Sequence, residues 1–344
     1  MKLNLVGVDL SKSIFQLSIA NNNNRIVSRK RLSRTQFRRW LSTREPNLLV
    51  MEACGTSHYW ARVASDFGHQ VSLLHPKYVK PYVRRNKTDA ADADALVRAA
   101  QDTDLIPVPI KTEDHQALQS LHRIRERWKS SRVASLNEAR GLLAEFGLVL
   151  PKNVTSARLR EAAEQSPALL QPTLNALIDE INALQGRLDN VNQILENTAA
   201  QDDNCQRLLT IAGIGVITAT AAVARVPNIH NFPRGKSFAS WLGLTCRESS
   251  SGNTRRLGAI TKKGDCYLRT LLIHGARSAL LAAKRKAKSK RKLTYLQRWA
   301  LNTEQRIGHN KATVALANKM ARIMWAVWTR NDSFNGDHAC RFST

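Results

Sequence analysis

Two short apolar runs near the start of the chain each lead directly into a single carboxylate. Asp9 follows Leu5–Val8 in LVGVDLSK, and Glu52 follows Leu48–Met51 in LLVMEACG. Runs of this length and character are typical of buried strands, so both acidic side chains are expected at strand ends. A chain that places charges next to buried strands needs something there to balance them.

A second acidic pair lies in the Ala-rich segment KTDAADADAL. Asp89 and Asp92 are three residues apart, which places them on one face of a predicted helix. Carboxylates that converge at low dielectric repel one another unless a cation neutralises them, and hard oxygen ligands suit Mg²⁺. The four acidic residues therefore predict a magnesium site, although each alone is equally compatible with a turn or a helix cap.

Charge indicates the class of partner. The chain has 344 residues, 43% of them hydrophobic, and a formal net charge of +26. Such an excess favours a polyanion, most naturally nucleic acid, with an affinity that falls as salt is added. No apolar stretch reaches the length of a membrane span, and the N-terminus lacks a secretory pattern, so we expect no membrane partner and a cytoplasmic location.

Cysteine and histidine offer no zinc pattern. The five cysteines are scattered without a C-x-x-C pair, and no histidine pair stands at a matching spacing. Structural zinc and a disulfide framework are therefore not expected, and reduced thiols are the default.

The sequence predicts four regions. Residues 1–107 alternate strand and helix signals, which composition alone assigns only to the α/β class; the order of elements resembles a ribonuclease-H-like fold. Strands are predicted at Leu3–Leu10, Phe15–Ala20, Ile26–Leu32, Leu48–Met51 and Gln70–Leu74. Residues 108–203 are predicted as a helical coiled-coil region, residues 204–330 as a mostly α C-terminal domain, and residues 331–344 as a tail.

The middle region carries a heptad seam. Apolar residues recur at alternating three- and four-residue steps at Leu174, Leu177, Ile181, Leu184, Leu188, Val191 and Leu195. The seam can join two subunits, or it can pack inside an intramolecular helical hairpin with the preceding helix, Glu113–Phe146. The sequence leaves both alternatives open, with a loop marked by Pro151 and Pro167 between the two helices.

The C-terminal region holds a glycine turn and a serine cluster. AGIGVITATA indicates a helix, a tight turn at Gly213 and Gly215, and a second helix, as in a helix-hairpin-helix element that could receive a phosphate; an ordinary helix connection fits equally well. Ser249, Ser250 and Ser251 follow in a segment that alone reads as a solvated loop. A serine nucleophile beside a bound phosphate is the alternative, with cations at Arg247, Arg255, Arg256, Lys262 and Lys263.

Five motifs in this order resemble insertion-sequence transposases of the DEDD type, relatives of the Piv and MooV DNA invertases. The resemblance spans nearly the whole chain and rests on VGVDLSK, MEACGTSHYW, KTDAADADAL, AGIGVITATA and GLTCRESSSGNTRRLGAITKKGDCYLRTLL. It implies a RuvC-like N-terminal domain whose Asp9, Glu52, Asp89 and Asp92 bind Mg²⁺, and a C-terminal transposase domain with a catalytic serine. That serine corresponds to Ser250, but Asn253 replaces a frequent glycine and three successive serines leave the register uncertain by one.

The resemblance also implies a mechanism and partners. Ser250 would attack a DNA phosphate to give a covalent phosphoserine that a second strand resolves, so that strands rejoin without ATP. A structured noncoding RNA would choose donor and target DNA by base pairing, and a dimer or tetramer would carry out the exchange. The implied function is site-specific recombination and transposition of an insertion sequence.

Three alternatives belong to other functional classes. GVDLSK also resembles a phosphate loop of sugar-kinase-like ATPases, but a second glycine-rich DGT-like loop is not visible in the sequence. A RuvC-like junction nuclease would hydrolyse DNA with the carboxylates alone and would survive loss of Ser250. A noncatalytic nucleic-acid scaffold would tolerate loss of Asp9.

Overall fold

The chain forms two compact units, Met1–Glu113 and Asp114–Thr344. The computed structural model describes residues 3–83 and 88–336. The first unit is a mixed α/β domain and the second is predominantly helical, which confirms the predicted change of class along the chain. Within the described residues, no helix is both long and apolar enough to cross a bilayer.

A five-stranded mixed sheet organises the first unit. Its strands are β1 (Leu5–Asp9), β2 (Ile14–Ala20), β3 (Ile26–Ser33), β4 (Leu48–Glu52) and β5 (Gln70–Leu74), in the order β3-β2-β1-β4-β5. The first three strands form an antiparallel meander, whereas β1, β4 and β5 run parallel. All five strands were predicted from short apolar runs, and the mixed sheet is consistent with a ribonuclease-H-like domain.

One face of the sheet packs against helices α1 (Arg34–Ser42) and α2 (Ser57–Asp66). Aromatic rings fill this layer: Phe15 contacts Phe37 edge to face at 5.3 Å between ring centroids, and it contacts Trp60 at 5.1 Å. Ser33, the last residue of β3, caps α1 in a reciprocal capping box with Gln36. The helix therefore begins directly after this strand.

The other face packs against α4 (Asp89–Ala99), after the short helix α3 (Pro76–Val79) and a 3₁₀ turn at Lys80–Tyr82. The helix lies so close to β1 that a Cβ on Gly7 would stand 2.3 Å from the carbonyl oxygen of Ala93. Only glycine permits this approach. The start of α4 is therefore held against the middle of the sheet.

The second unit begins with a helical hairpin. Helices α5 (Glu113–Glu145) and α7 (Gln171–Gln201) are its long arms, and α6 (Ser156–Glu164) occupies the segment predicted as a loop. That prediction missed α6 because Pro151 and Pro167 mark its flanks rather than its interior. Thr155 caps the helix, and its buried Leu159, Ala162 and Ala163 pack against the hairpin.

The heptad seam of α7 is buried within one chain. Leu174, Ile181, Leu184, Leu188, Val191 and Leu195 are each at most 7% exposed. The N-terminal part of the seam packs with Ala139 and Leu143 of α5, and its C-terminal part packs with Leu118 of the same helix. The burial favours the intramolecular hairpin over a seam between subunits.

The remaining helices enclose the hydrophobic core of the second unit. They are α8 (Asp203–Leu209), α9 (Val216–Arg225), α10 (Gly235–Trp241), α11 (Cys266–Lys288), α12 (Tyr295–Ile307) and α13 (His309–Arg330), with a 3₁₀ turn at Ile229–Asn231. Trp328 is buried in α13, and Trp325 of the same helix donates from Nε1 to the Phe232 carbonyl at 2.8 Å. Helix α12 was not predicted, because its apolar face is interrupted by polar residues.

A two-stranded hairpin stands between α10 and α11. Strands β6 (Cys246–Glu248) and β7 (Leu257–Ile260) pair antiparallel. The serine cluster lies in the exposed loop that joins them, as the sequence suggested. The flanking strands were not predicted, because the segment around them is rich in glycine and serine, which are more typical of turns.

Candidate active site

Asp9 and Glu52 lie side by side at the end of the sheet in the first unit. Val8 pairs with Met51 on neighbouring parallel strands, and Asp9 and Glu52 are the next and last residues of those two strands. Side chains alternate between sheet faces, and Leu5 of β1 and Val50 of β4 belong to the core beneath α4. The alternation therefore places both carboxylates on the α4 face, on strands about 4.8 Å apart.

Asp89 and Asp92 occupy the first turn of α4, as the sequence predicted. Thr88 caps this turn by accepting a hydrogen bond from the Ala91 amide at 3.2 Å. Asp89 is exposed and Asp92 is half-buried. All four predicted carboxylates thus belong to the α4 side of the sheet, although they come from three separate elements.

Asp94, two residues further along α4, has a different role. It accepts hydrogen bonds from Ser18 Oγ at 2.6 Å and from Arg29 Nε and Nη2 at 3.1 and 2.8 Å, and Arg98 lies 3.7 Å away. Burial raises the pKa of Asp94, but the hydrogen bonds and charges of Arg29, Ser18 and Arg98 more than offset burial and hold it below its ordinary value. This carboxylate ties α4 to β2 and β3.

The donor set fits a hard divalent cation by chemistry, since carboxylate oxygens are the ligands Mg²⁺ prefers. The geometry is less complete: within residues 3–83 and 88–336, no three histidine, cysteine, aspartate or glutamate side chains are grouped to hold a metal ion. To bind one metal ion together, the Asp9–Glu52 pair and the Asp89–Asp92 turn would have to move closer to each other.

In the second unit, Ser250 presents an aligned hydroxyl at the hairpin end. Its Oγ donates to Glu248 Oε1 at 2.8 Å and accepts from the Arg256 backbone N–H at 3.2 Å. A hydroxyl oxygen has two lone pairs, so one remains for attack. The residue is exposed.

The neighbouring serines serve the hairpin backbone instead. The Ser249 amide donates to the Arg256 carbonyl at 3.0 Å, and Ser251 exchanges backbone hydrogen bonds with Thr254 across the turn. Neither the Ser249 nor the Ser251 hydroxyl has a hydrogen-bond partner among the residues that the structure describes. Ser250 is the one serine of the three whose hydroxyl direction is set.

Buried contacts anchor the base of this hairpin. Arg269 of α11 is 7% exposed and donates from Nη1 to the Leu242 carbonyl at 3.0 Å and the Lys263 carbonyl at 3.4 Å. Asn318 of α13 donates to the Leu244 carbonyl at 3.0 Å. Because both ends of the hairpin are tied to the helical core, the serine is carried on a fixed support.

The predicted cations all occupy exposed positions in or next to the hairpin: Arg247, Arg255, Arg256, Lys262 and Lys263. Arg255 Nε lies 3.2 Å from Glu248 Oε1. In the part of the chain that the structure describes, the other four form no ion pair. Cations without carboxylate partners on a hairpin end are suited to phosphate oxygens.

The glycine turn follows the predicted helix-turn-helix order between α8 and α9. Gly213, with a φ of +91°, packs so tightly on α11 that a Cβ would stand 2.6 Å from the Gly275 carbonyl oxygen. Gly215 begins α9 with open space around it. Packing thus accounts for Gly213, and phosphate binding by either glycine stays a prediction.

Sequence reasoning missed Glu248. The signal was present, because Glu248 and Ser250 are two residues apart and side chains at this spacing share one face of an extended strand. The segment was read as a loop, where such spacing carries no meaning.

Comparison with known proteins identifies the family. The model described as "Transposase IS116/IS110/IS902 family" matches residues 205–292, and a DEDD transposase model matches residues 6–147. A probable family 20 transposase of Pseudomonas aeruginosa is 40% identical over 341 residues, covering 97% of this chain and 99% of the relative. The chain belongs to the IS110/IS116 family of DEDD transposases.

Other relatives extend the same group. The transposase for insertion sequence element IS1111A of Coxiella burnetii is 35% identical, over 96% of this chain and 91% of its own length. A pilin gene-inverting protein of Moraxella bovis is 24% identical, over 97% and 98%. Transposases cleave DNA and transfer its strands, so this transposase is an enzyme, and the predicted resemblance is confirmed.

Asp92 and Asp94 of α4 should differ in their effect on stability. We expect Asp94→Asn in the transposase to lower the free energy of unfolding by about 1–3 kcal/mol at pH 7, because it weakens a buried hydrogen-bonded charge. Asp92→Asn should change it by less than about 0.5 kcal/mol. Urea unfolding of both variants measures the difference.

The effect of Asp94 should depend on pH in one direction. Its folded-state pKa is lowered, so its contribution is fully present above the ordinary value of 3.8 and is lost as pH falls through the folded-state pKa. The gap between wild type and Asp94→Asn should therefore close in acid. Equal stability at pH 7 would contradict the structural role of Asp94.

Proposed function

We propose that the protein is a site-specific DNA recombinase of its insertion sequence that exchanges strands through a phosphoserine on Ser250, with Mg²⁺ held by Asp9, Glu52, Asp89 and Asp92. The observation that carries the proposal is the exposed Ser250 hydroxyl, aligned by Glu248 and the Arg256 amide on a hairpin rich in exposed arginines. Nucleophilic catalysis needs such a fixed hydroxyl beside groups that accept its proton and bind the phosphate.

The carboxylates of the first unit would supply the metal ion of the proposed reaction. Asp9 and Glu52 would hold the ion from the strand ends, and Asp89 and Asp92 from the first turn of α4, all on one side of the sheet. Bound there, Mg²⁺ would neutralise charge on the phosphoryl and leaving oxygens.

The serine step conserves the phosphodiester bond energy. As Ser250 Oγ bonds to phosphorus, its proton leaves, and the bond from phosphorus to one bridging oxygen breaks with its electron pair going to that oxygen. The released strand takes a proton from water. Attack by a new strand hydroxyl reverses the sequence and frees the serine, so rejoining requires no ATP.

The net charge of +26 supports simultaneous contact with two polyanions. We therefore include a structured RNA of the element as the guide that selects donor and target DNA by base pairing, with Arg247, Arg255, Arg256, Lys262 and Lys263 contacting phosphates near the exchange point. Exchange between two duplexes needs at least two serines, so a dimer or tetramer is part of the proposal.

The serine is tested by trapping. A suicide substrate nicked near the exchange point should leave a covalent protein–DNA adduct in the wild type, because the rejoining strand is withheld. Ser250→Ala should bind DNA yet form no adduct, whereas Ser249→Ala and Ser251→Ala should retain it. A denaturing gel of the four proteins measures this.

An adduct that persists in Ser250→Ala and disappears in a neighbour would move the nucleophile by one residue. The hydrolytic nuclease would instead be favoured if the wild type cleaves DNA without forming an adduct and Ser250→Ala still cleaves it.

The carboxylates are tested by conservative replacement. We expect Asp9→Asn, Glu52→Gln, Asp89→Asn and Asp92→Asn each to abolish strand cleavage while the thermal midpoint stays within a few degrees of wild type, because removing a ligand also relieves charge repulsion. Titration with Mn²⁺ as a paramagnetic probe should show weakened binding. Full cleavage activity in Asp92→Asn would contradict its assignment.

The guide is tested by copurification. If a structured RNA is bound, the protein expressed together with its own flanking DNA should carry a discrete RNA species, identified by sequencing. The charge-reducing variant Arg255→Gln with Lys263→Gln should hold less nucleic acid at a given salt concentration. Recovery of only heterogeneous cellular RNA would argue against a dedicated guide.

A further inference from the structure

The carboxylate next to the serine has its own geometry. Glu248 ends strand β6, two residues before Ser250, and its Oε1 accepts the Ser250 hydroxyl at 2.8 Å. The same oxygen lies 3.2 Å from Arg255 Nε. Of the described side chains, Glu248 is the only carboxylate or imidazole in hydrogen-bond contact with Ser250.

We propose that Glu248 is a further catalytic residue, which takes the Ser250 proton as the phosphoserine forms and returns it when the strands rejoin. The inference rests on the proposed function, since it assigns the proton of that serine step. A base must lie within hydrogen-bond reach of the proton it removes, and the 2.8 Å contact meets this requirement before any substrate is present.

The proton balance closes over the two transfers. In the first, the Oγ–H bond breaks and its proton passes to Glu248, the Oγ–P bond forms, and the leaving oxygen is protonated by water. In the second, the incoming strand hydroxyl loses its proton to solvent and the Oγ–P bond breaks. Glu248 then returns the proton to Oγ, so the site is restored without an added reactant.

Arg255 links this step to DNA. The hydrogen bond from Ser250 and the charge of Arg255 hold the pKa of Glu248 below its ordinary value, with a smaller contribution from Lys236 of α10. A phosphate at the hairpin end competes with Glu248 for the Arg255 guanidinium. When Arg255 turns to the phosphate, Glu248 loses a competing cation on Oε1 and becomes a stronger proton acceptor for Ser250.

The alternative is that Glu248 only shapes the hairpin by joining Arg255 to Ser250. A glutamine at position 248 distinguishes the structural role from the catalytic one. The amide oxygen of Glu248→Gln still accepts the Ser250 hydroxyl and is nearly the same size, but it does not take up a proton. A purely structural contact would survive this replacement largely intact.

The test is the rate of adduct formation on the nicked suicide substrate, measured in a single turnover from pH 5.5 to 9. We expect Glu248→Gln to form the adduct on the order of 10²–10⁴-fold more slowly at pH 7, with unchanged DNA binding and thermal midpoint. The wild-type rate should be nearly flat over this range, because Glu248 is already ionised. The variant rate should rise with pH, because hydroxide must then remove the proton.

Chemical rescue provides the second measurement. Glu248→Ala leaves space beside Ser250, and added formate or acetate should restore adduct formation in proportion to its concentration, as expected when a free carboxylate replaces the missing base. Chloride at equal ionic strength is the matched salt control. Glu138→Gln, which removes an exposed carboxylate on α5, should behave as wild type in every assay.

The outcomes separate this inference from the proposed function. If the wild type forms no adduct, the phosphoserine itself is wrong and the role of Glu248 falls with it. If Ser250→Ala loses the adduct but Glu248→Gln keeps the wild-type rate and flat profile, the nucleophile stands and the base is refuted. A slow Glu248→Gln with a flat profile and no rescue of Glu248→Ala would also refute proton transfer.

Discussion

The contact between α4 and Gly7 is the constraint on which the first unit depends. The backbone of α4 contacts β1 at Gly7, where no Cβ fits. This contact fixes the position of α4 along β1. Asp94 fixes the same position, because it accepts hydrogen bonds from Ser18 on β2 and Arg29 on β3. Together these contacts place the first turn of α4, with Asp89 and Asp92, on the sheet face that carries Asp9 and Glu52.

In the second unit, a buried cation, Arg269, holds the serine hairpin in place. The serine hairpin has exposed strands and little apolar surface of its own, so it gains order from its base. Arg269 reaches from α11 to backbone carbonyls at both ends of the hairpin, and a guanidinium with several donors suits this bridging role. Rigidity at the base lets Glu248, Ser250 and Arg255 remain exposed to a nucleic acid and still keep a defined geometry.

Local sequence pattern predicted most of the fold. All five strands of the first unit and both long helices of the hairpin follow from apolar runs and heptad spacing, because these elements bury one continuous face. Helix α6, helix α12 and the β6–β7 hairpin escaped prediction. Each is short or polar and is stabilised by contacts with distant residues, as Asn318 stabilises the segment before β6, and such contacts leave no local periodicity.

The sequence by itself determined the class of each region, the strand-end positions of Asp9 and Glu52, and the helical pairing of Asp89 with Asp92. Only tertiary structure decided which acidic residues of α4 have a structural partner, because Asp92 and Asp94 look alike until Ser18 and Arg29 are brought across the sheet. It also distinguished Ser250 from its neighbours. A hydroxyl acquires a direction only when strand pairing brings Glu248 and the Arg256 amide to it, and that pairing joins residues on two strands.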